Sequence, residues 1–151
     1  MTWLKHGSKR KIDNTYSLII PGKPMGKQRP RFSSFGKFTK VYTPKETLDK
    51  EKEIKKLFLQ KYPKHDTIES AIKVEVIAYM YIPKSTSKKK KQMMLNDDIK
   101  SIIKPDVDNI AKLILDALNG LAFKDDKQIV ELVCYKRYSD EPRSEITIER
   151  I

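Results

Sequence analysis

Five aspartates, whose carboxylate oxygens are suitable ligands for a divalent metal ion, are crowded into one stretch of the 151-residue chain. They fall within 21 residues, although the protein as a whole has a formal net charge of +12. Residues 1–100 carry 24 basic and 10 acidic side chains, whereas residues 101–151 carry 8 and 10. Clustered carboxylates oppose phosphate binding unless a cation lies between the two. The pattern therefore predicts a divalent metal site built from some of Asp106, Asp108, Asp116, Asp125 and Asp126.

Most of these residues also have an ordinary structural interpretation. Asp108 precedes an apolar helical pattern, where aspartate is a favourable N-cap. Lys112 is spaced to pair with Asp108 and Asp116 on the same helix. Asp125 and Asp126 follow a short predicted turn, in which aspartate is common. The metal hypothesis therefore depends on the convergence of these residues in the fold.

Asp106 and the predicted second helix complete the candidate site. Because Pro105 fixes the chain before Asp106, an extended Asp-x-Asp segment would point Asp106 and Asp108 the same way. The helix is expected from Asp108 to Asn119-Gly120, since Asp suits the N-cap and Gly the C′ position. At about 100° per residue, its polar side chains span only about 100°, so the remaining surface is buried in the core or against another subunit. This polar stripe consists of Asp108, Asn109, Lys112, Asp116 and Asn119.

The ordered pattern around these residues resembles the RusA-type Holliday junction resolvases. It runs KPDVDN, a lysine and DALNG over residues 104–120, and then DDKQI over residues 125–129. The segments PGKP (21–24) and QRPRF (28–32) resemble the family's opening strand and basic loop, and the resemblance spans about residues 15–150. It implies a homodimeric, Mg²⁺-dependent endonuclease of DNA recombination and repair, with Mn²⁺ as an alternative metal. Its substrate would be branched DNA, a four-way junction in which two strands are nicked symmetrically.

The resemblance also implies residue roles. The family's metal-binding carboxylates fall on Asp106, Asp108 and Asp126, and its essential lysine falls on Lys112. These four residues are the predicted catalytic set. Lys112 would stabilise charge that develops on the phosphoryl group or help to position water. Neighbours that would orient the metal ligands are Asn109, Asp116 and Asp125.

The segment from Lys23 to Lys45 is the predicted DNA-binding loop. It carries seven basic residues and no acidic one, with four aromatic residues between them. This mixture favours phosphate contact together with packing against unstacked bases at a branch point. Alternatively, the aromatic residues are core or dimer contacts, and the lysine run 88–91 is either a backbone contact or a solvated charge run. The predicted DNA-binding residues are Lys27, Arg29, Arg31, Lys37, Lys40, Lys88, Lys89, Lys90 and Lys91.

The predicted elements that must position these residues are four strands and two main helices. This ratio favours an α+β fold, a single domain with a mixed β-sheet, over a doubly wound one. Cys134 is predicted to be a small buried hydrophobe on its strand. Strands are expected over 15–21, 72–82, 128–138 and 144–148, helices over 44–62 and 108–119, an extended loop or irregular hairpin over 23–42, a mobile arm with at most a short helix over 84–101, and a Thr43–Glu46 capping box.

Composition and motifs argue against several other classes. The longest apolar runs are strand-sized, and the N-terminal residues carry charges where a signal peptide needs an apolar stretch, so we expect a cytoplasmic protein without a membrane partner. No Cys or His cluster suggests zinc. The hypothesis of a transferase that uses Asp-x-Asp is weakened because no Gly-rich phosphate loop follows a strand, and no small-molecule cofactor is expected.

Residues 1–14 are assigned to a basic extension and 15–151 to the endonuclease domain. The best alternative function is a non-catalytic basic nucleic-acid-binding protein in which the aspartates only cap and pair.

Overall fold

Residues 15–151 are described by a computed structural model. The basic extension predicted over residues 1–14 lies outside the described residues. In chain order the elements are β1 (Thr15–Pro21), β2 (Arg31–Phe35), β3 (Phe38–Tyr42), α1 (Lys45–Lys61), β4 (Ile72–Met80), α2 (Lys88–Leu95), α3 (Val107–Leu118), a short 3₁₀ turn (Asp126–Gln128), β5 (Ile129–Tyr138) and β6 (Arg143–Arg150).

Four of the strands form one mixed sheet in the order β1-β6-β4-β5. β4 runs parallel to β5 and antiparallel to β6, and β6 runs antiparallel to β1. Alternate residues of β4 are buried on one face, as the sequence pattern predicted, although the strand ends at Met80 and Ile82 lies beyond it. The predicted α+β fold with a mixed sheet is confirmed. β5 lies at an edge of this sheet, and its second edge has no strand partner within residues 15–151.

Helices α1 and α3 cover the apolar face of the sheet. Ile54 and Phe58 of α1 are buried in the same cluster as the inward residues of β4. Val107, the first residue of α3, is 37% exposed. The other apolar side chains of α3 are buried within this chain, so the surface that they form belongs to the protomer's own core rather than to a subunit interface. They are Ile110, Ala111, Leu113, Ile114, Leu115, Ala117 and Leu118.

Both helices begin differently from the sequence prediction. The Thr43–Glu46 capping box is wrong: Pro44 is the N-cap of α1 and no side chain caps the helix. Glu46 instead accepts a hydrogen bond from the side chain of Gln28, 3.1 Å away, and is drawn out of the capping position. α3 begins at Val107 with Asp106 as its N-cap, so the predicted start at Asp108 is late.

The early start of α3 overturns the expected Asp-x-Asp geometry. Asp106 is extended, with φ −69° and ψ 148°, but Asp108 already lies in the first helical turn. Residues two apart around a helix do not face each other. The carboxylates of Asp106 and Asp108 therefore do not project from an extended segment on one side.

The two basic segments are more ordered than a plain loop and arm. Strands β2 and β3 form a separate antiparallel hairpin, which confirms the hairpin alternative. The lysine-rich arm contains the eight-residue helix α2, with Ser87 as its N-cap and Met94 as its buried anchor. The expectation of at most a short helix is confirmed.

Cys134 is half-buried rather than buried, which corrects its sequence assignment. Because β5 is an edge strand, the helices do not fully cover its side chains. The Cys134 thiol donates to the backbone oxygen of Val107 at 3.3 Å. This contact joins β5 to the first residue of α3.

Candidate active site

The beginning of α3 is held against β5 by a lysine that the sequence did not single out. Lys136 donates from Nζ to the backbone oxygen of Ile103 at 2.6 Å and to that of Pro105 at 3.3 Å. These bonds fix the segment that leads into Asp106. Lysine in a strand carries no sequence signal for such a role, since the carbonyl partners lie about thirty residues earlier in the chain.

The basic loop of residues 23–28 packs directly on the start of α3. The backbone N–H of Lys27 donates to the oxygen of Asn109 at 2.9 Å. A Cβ atom on Gly26 would lie 2.8 Å from the Pro105 Cβ and 3.2 Å from the Asn109 Cβ, so this close approach requires glycine.

A cleft of about 760 Å³ opens beside Asp106 at this contact. Most of its polar lining is cationic or amide, and Asp106 and Glu46 supply its carboxylates. The sequence did not predict Gln28 or Glu46 as part of this region. The charged and amide residues lining the cleft are Lys23, Lys27, Gln28, Glu46, Lys104, Asp106 and Asn109.

Lys27, which lines the cleft, is also the centre of an ion-pair group. Its Nζ lies 3.0 Å from the Asp116 Oδ2 and also pairs with Glu51. Burial would lower the pKa of Lys27, but the hydrogen bonds and charges of Glu51 and Asp116 outweigh it and raise the pKa above its ordinary value. The ammonium group is therefore committed to carboxylates within the protomer. Its predicted contact with DNA stays a prediction.

Lys112 is the cation of the polar stripe on α3, and it is accessible to solvent. Its side chain is 62% exposed, and its Nζ lies 3.8 Å from Asp116. The structural interpretation of Lys112 as an i,i+4 partner thus holds for Asp116. No ion pair within residues 15–151 involves Asp106 or Asp108, whose side chains are exposed. Lys112 remains open to a ligand from solvent.

The adjacent residues Asp125 and Asp126 have different surroundings. Asp125 caps the 3₁₀ turn: its carboxylate accepts from the Lys127 N–H at 3.0 Å, and its own N–H donates to the Gln128 side chain at 2.7 Å. Asp126 has no such role. Burial raises the pKa of Asp126, the charges of Asp116 and Asp125 raise it further, and only Lys112 opposes them.

The predicted acidic residues surround the exposed side of α3 without converging in one protomer. Asp106 lines the cleft, and Asp108 lies close enough to Cys134 for its charge to raise the pKa of that thiol. Asp126 lies near Asp116 and Lys112. Within residues 15–151, no three His, Cys, Asp or Glu side chains come close enough to hold a metal ion among themselves.

The other predicted DNA-binding residues are all exposed, and they lie in two places, the hairpin region and helix α2. Arg29 precedes the hairpin, Arg31 and Lys40 lie on its strands, and Lys37 lies in its turn. The run of residues 88–91 forms the first half of α2, where Lys91 also pairs with Asp140 at 2.9 Å. These positions leave most of the cations accessible to a polyanion.

Comparison with known proteins decides the family. The family described as "Endodeoxyribonuclease RusA" matches residues 21–149, which include every acidic residue discussed above. The chain belongs to this family. A relative in Bacillus subtilis (strain 168), the "Uncharacterized protein YqaN", is 35% identical over 136 residues, covering 89% of this chain and 95% of that protein. The polar stripe of α3, the cleft beside it and the exposed cations therefore belong to a chain of a DNA endonuclease family. None of the helices in residues 15–151 combines the length and the apolar composition that a membrane span requires.

Proposed function

We propose that this RusA-family protein is a Mg²⁺-dependent, structure-selective endonuclease that resolves four-way DNA junctions by paired symmetric nicks. The observation that carries the proposal is the position of Asp106, Asp108 and Lys112. In a chain of an endodeoxyribonuclease family, all three side chains are exposed on the N-cap and first half of helix α3, whose apolar side chains between Ile110 and Leu118 are buried in the core. A reactive phosphate could approach this edge from solvent while the helix remains fixed.

The chemistry of the donors fits Mg²⁺. Mg²⁺ is commonly held by one or two carboxylates together with substrate phosphates and water, and does not need a closed protein cage. Asp106, Asp108 and Asp126 are the carboxylates that the family pattern assigns to the metal, but within residues 15–151 the three do not come together, so at most two of them would hold one ion in this arrangement. Burial raises the pKa of Asp126, and the charges of Asp116 and Asp125 raise it further, so a cation beside this carboxylate would be favourable. When bound, Mg²⁺ would neutralise phosphate charge and favour an ionised water.

The remaining residues have roles that need no metal geometry. Lys112, exposed one turn after Asp108, would lie against the phosphate and stabilise negative charge as it develops. Asp116 is held by Lys27 and would orient Lys112 through their 3.8 Å contact. Asn109 fixes the loop through its backbone oxygen. Asp125 would act indirectly, because its cap sets the direction of Asp126.

A homodimer is part of the proposal. The unpaired edge of β5 exposes the apolar side chains of Val130, Leu132 and Val133, and Val107 is exposed beside it. Soluble proteins usually cover an apolar edge strand of this kind. Pairing with a second copy about a two-fold axis would cover it, and would give two sites related by the symmetry of the junction.

A non-catalytic nucleic-acid-binding protein is the second candidate. It is favoured by the structural duties of Asp116 and Asp125 and by the separation of the acidic side chains among residues 15–151. This candidate predicts junction binding without metal-dependent cleavage.

Nicking of a synthetic four-way junction, beside a linear duplex of the same sequence, tests the proposal. Each strand is end-labelled in turn, and the wild-type protein is incubated with Mg²⁺, with Mn²⁺ or with EDTA. We expect paired nicks at symmetric positions in the junction alone, and none in EDTA. Tight junction binding without cleavage in either metal would overturn the proposal in favour of the binding protein.

A further inference from the structure

The β2–β3 hairpin is an unusual surface for a small protein. It forms a sheet of its own, and all ten of its strand residues are exposed. Its two-residue turn, Gly36-Lys37, uses glycine at φ 61°, a left-handed conformation that suits such turns. Phe35 and Phe38 flank the turn and are 89% and 81% exposed. Nothing in the core of the protomer accounts for these two rings.

The register of the hairpin sorts its side chains onto two different faces. Residues directly opposite each other share a face, and successive residues alternate between faces. The pairs Arg31–Tyr42, Ser33–Lys40 and Phe35–Phe38 therefore project on one face. The pairs Phe32–Val41 and Ser34–Thr39 project on the other. We call the first the cationic aromatic face and the second the neutral face.

The cationic aromatic face has the side chains that are needed to bind a single-stranded nucleic acid. Its three aromatic rings can cover bases, while Arg31 and Lys40 can reach the phosphates on either side of them. Residues 23–45 contain no acidic side chain, so the local charge favours a polyanion over an ordinary protein partner. Bases within a duplex are already stacked on each other, whereas unpaired bases offer their faces to aromatic side chains.

We propose that the cationic aromatic face binds unpaired nucleobases, with Phe35 and Phe38 stacked on the bases and with Arg31 and Lys40 on the flanking phosphates. This surface would recognise the opened bases at a branch point. The inference rests on the proposed function only in taking DNA as the ligand. It requires neither the metal nor cleavage.

The neutral face provides a matched control. Phe32 is 71% exposed, belongs to the same hairpin and is the same residue type, but it projects away from Arg31 and Lys40. Removal of its ring should therefore leave base binding intact. Because all these side chains are exposed, none of the substitutions removes a core contact.

The test compares a thymine oligonucleotide with an abasic oligonucleotide of the same length, which keeps the phosphates but lacks the bases. Fluorescence anisotropy in EDTA measures affinity without cleavage. Wild type and Phe32→Ala should prefer the thymine strand at least about tenfold, the scale of one base stacked on an aromatic ring. The double variant Phe35→Ala/Phe38→Ala should lose that preference and retain its affinity for the abasic strand. Lys40→Ala should weaken binding to both strands.

Several results would overturn the inference. The first is a double variant that keeps the thymine preference. The second is a Phe32→Ala variant that loses it equally. The third is a double variant that changes the oligomeric state in size-exclusion chromatography with light scattering, since the face would then bind a second copy. Thermal unfolding of each variant verifies folding. A protein that never cleaves a junction but keeps the preference would refute the proposed function and leave this inference standing.

Discussion

At the scale of single residues, we expect substitution of Asp125 to affect mainly stability and substitution of the neighbouring Asp126 to affect mainly cleavage. Asp125→Ala removes the cap of the 3₁₀ turn and should destabilise the protein by about 1 kcal/mol. Asp126→Asn removes a charge that burial and two aspartates disfavour, so it should not lower stability. It should slow junction cleavage at least about 100-fold, the scale of losing one transition-state contact. Thermal unfolding and single-turnover cleavage distinguish the two; equal effects of both variants on cleavage would refute the assignment.

Cys134 gives a residue-scale prediction about pH. Burial raises the pKa of its thiol to about 11, and the charge of Asp108 acts in the same direction. The native thiol therefore keeps its proton between pH 9 and 11, where an unfolded chain loses it, and stability should fall as pH rises through that window. Alkylation by iodoacetamide at pH 8 should be about 100-fold slower in native protein than in denaturant, because only the thiolate reacts. Equal rates would contradict the raised pKa of the Cys134 thiol and its half-buried position on β5.

At the scale of elements, the contact between the basic loop and α3 depends on one glycine. Gly26→Ala places a methyl group 2.8 Å from the Pro105 Cβ, so the loop or the start of α3 must shift. Overpacking of this kind costs about 1–3 kcal/mol. We expect a lower melting temperature and a larger loss of cleavage than of junction binding, since Asp106 moves with Pro105. Unchanged cleavage at full stability would contradict the role of this contact in positioning the site.

The elements themselves were largely predictable, but their ends were not. Alternation in β4 and the apolar period of α3 depend on neighbours in the sequence, and both predictions are confirmed. The predicted capping box at the start of α1 is wrong, because Glu46 accepts a hydrogen bond from Gln28, which belongs to a distant loop. The predicted start of α3 is wrong, because Asp106 and Asp108 are equally suitable N-caps by residue type. Sequence patterns report local preference, whereas such choices are settled by tertiary partners.

The candidate site divides in the same way. Its acidic and basic residue types, and the narrow polar stripe of α3, could be predicted from periodicity and from the family pattern. The duties of Lys27 and Lys136 could not, because their partners are Asp116, Glu51 and backbone oxygens far along the chain. A lysine that binds a carboxylate in the fold is indistinguishable in sequence from one that waits for a phosphate.

At the scale of the whole molecule, we expect a dimer through the open edge of β5. Leu132 is 49% exposed on this edge strand. Leu132→Asp should convert the protein to a monomer, because a charge would be buried at the interface. Ile19→Asp is the matched control, since Ile19 is 56% exposed on β1 at the opposite edge. Size-exclusion chromatography with light scattering measures both; a dimeric Leu132→Asp variant would place the interface elsewhere.

The central claim is that the acidic side of α3 cuts DNA and does not merely support the fold. Its most direct test is Asp108→Asn, which keeps the size of an exposed side chain that makes no ion pair in residues 15–151. Junction cleavage in Mg²⁺ is measured beside junction affinity in EDTA and the melting temperature. The account predicts that cleavage falls at least about 100-fold while affinity and melting temperature match those of wild type. Wild-type cleavage by Asp108→Asn, or a loss that only follows unfolding, would contradict it.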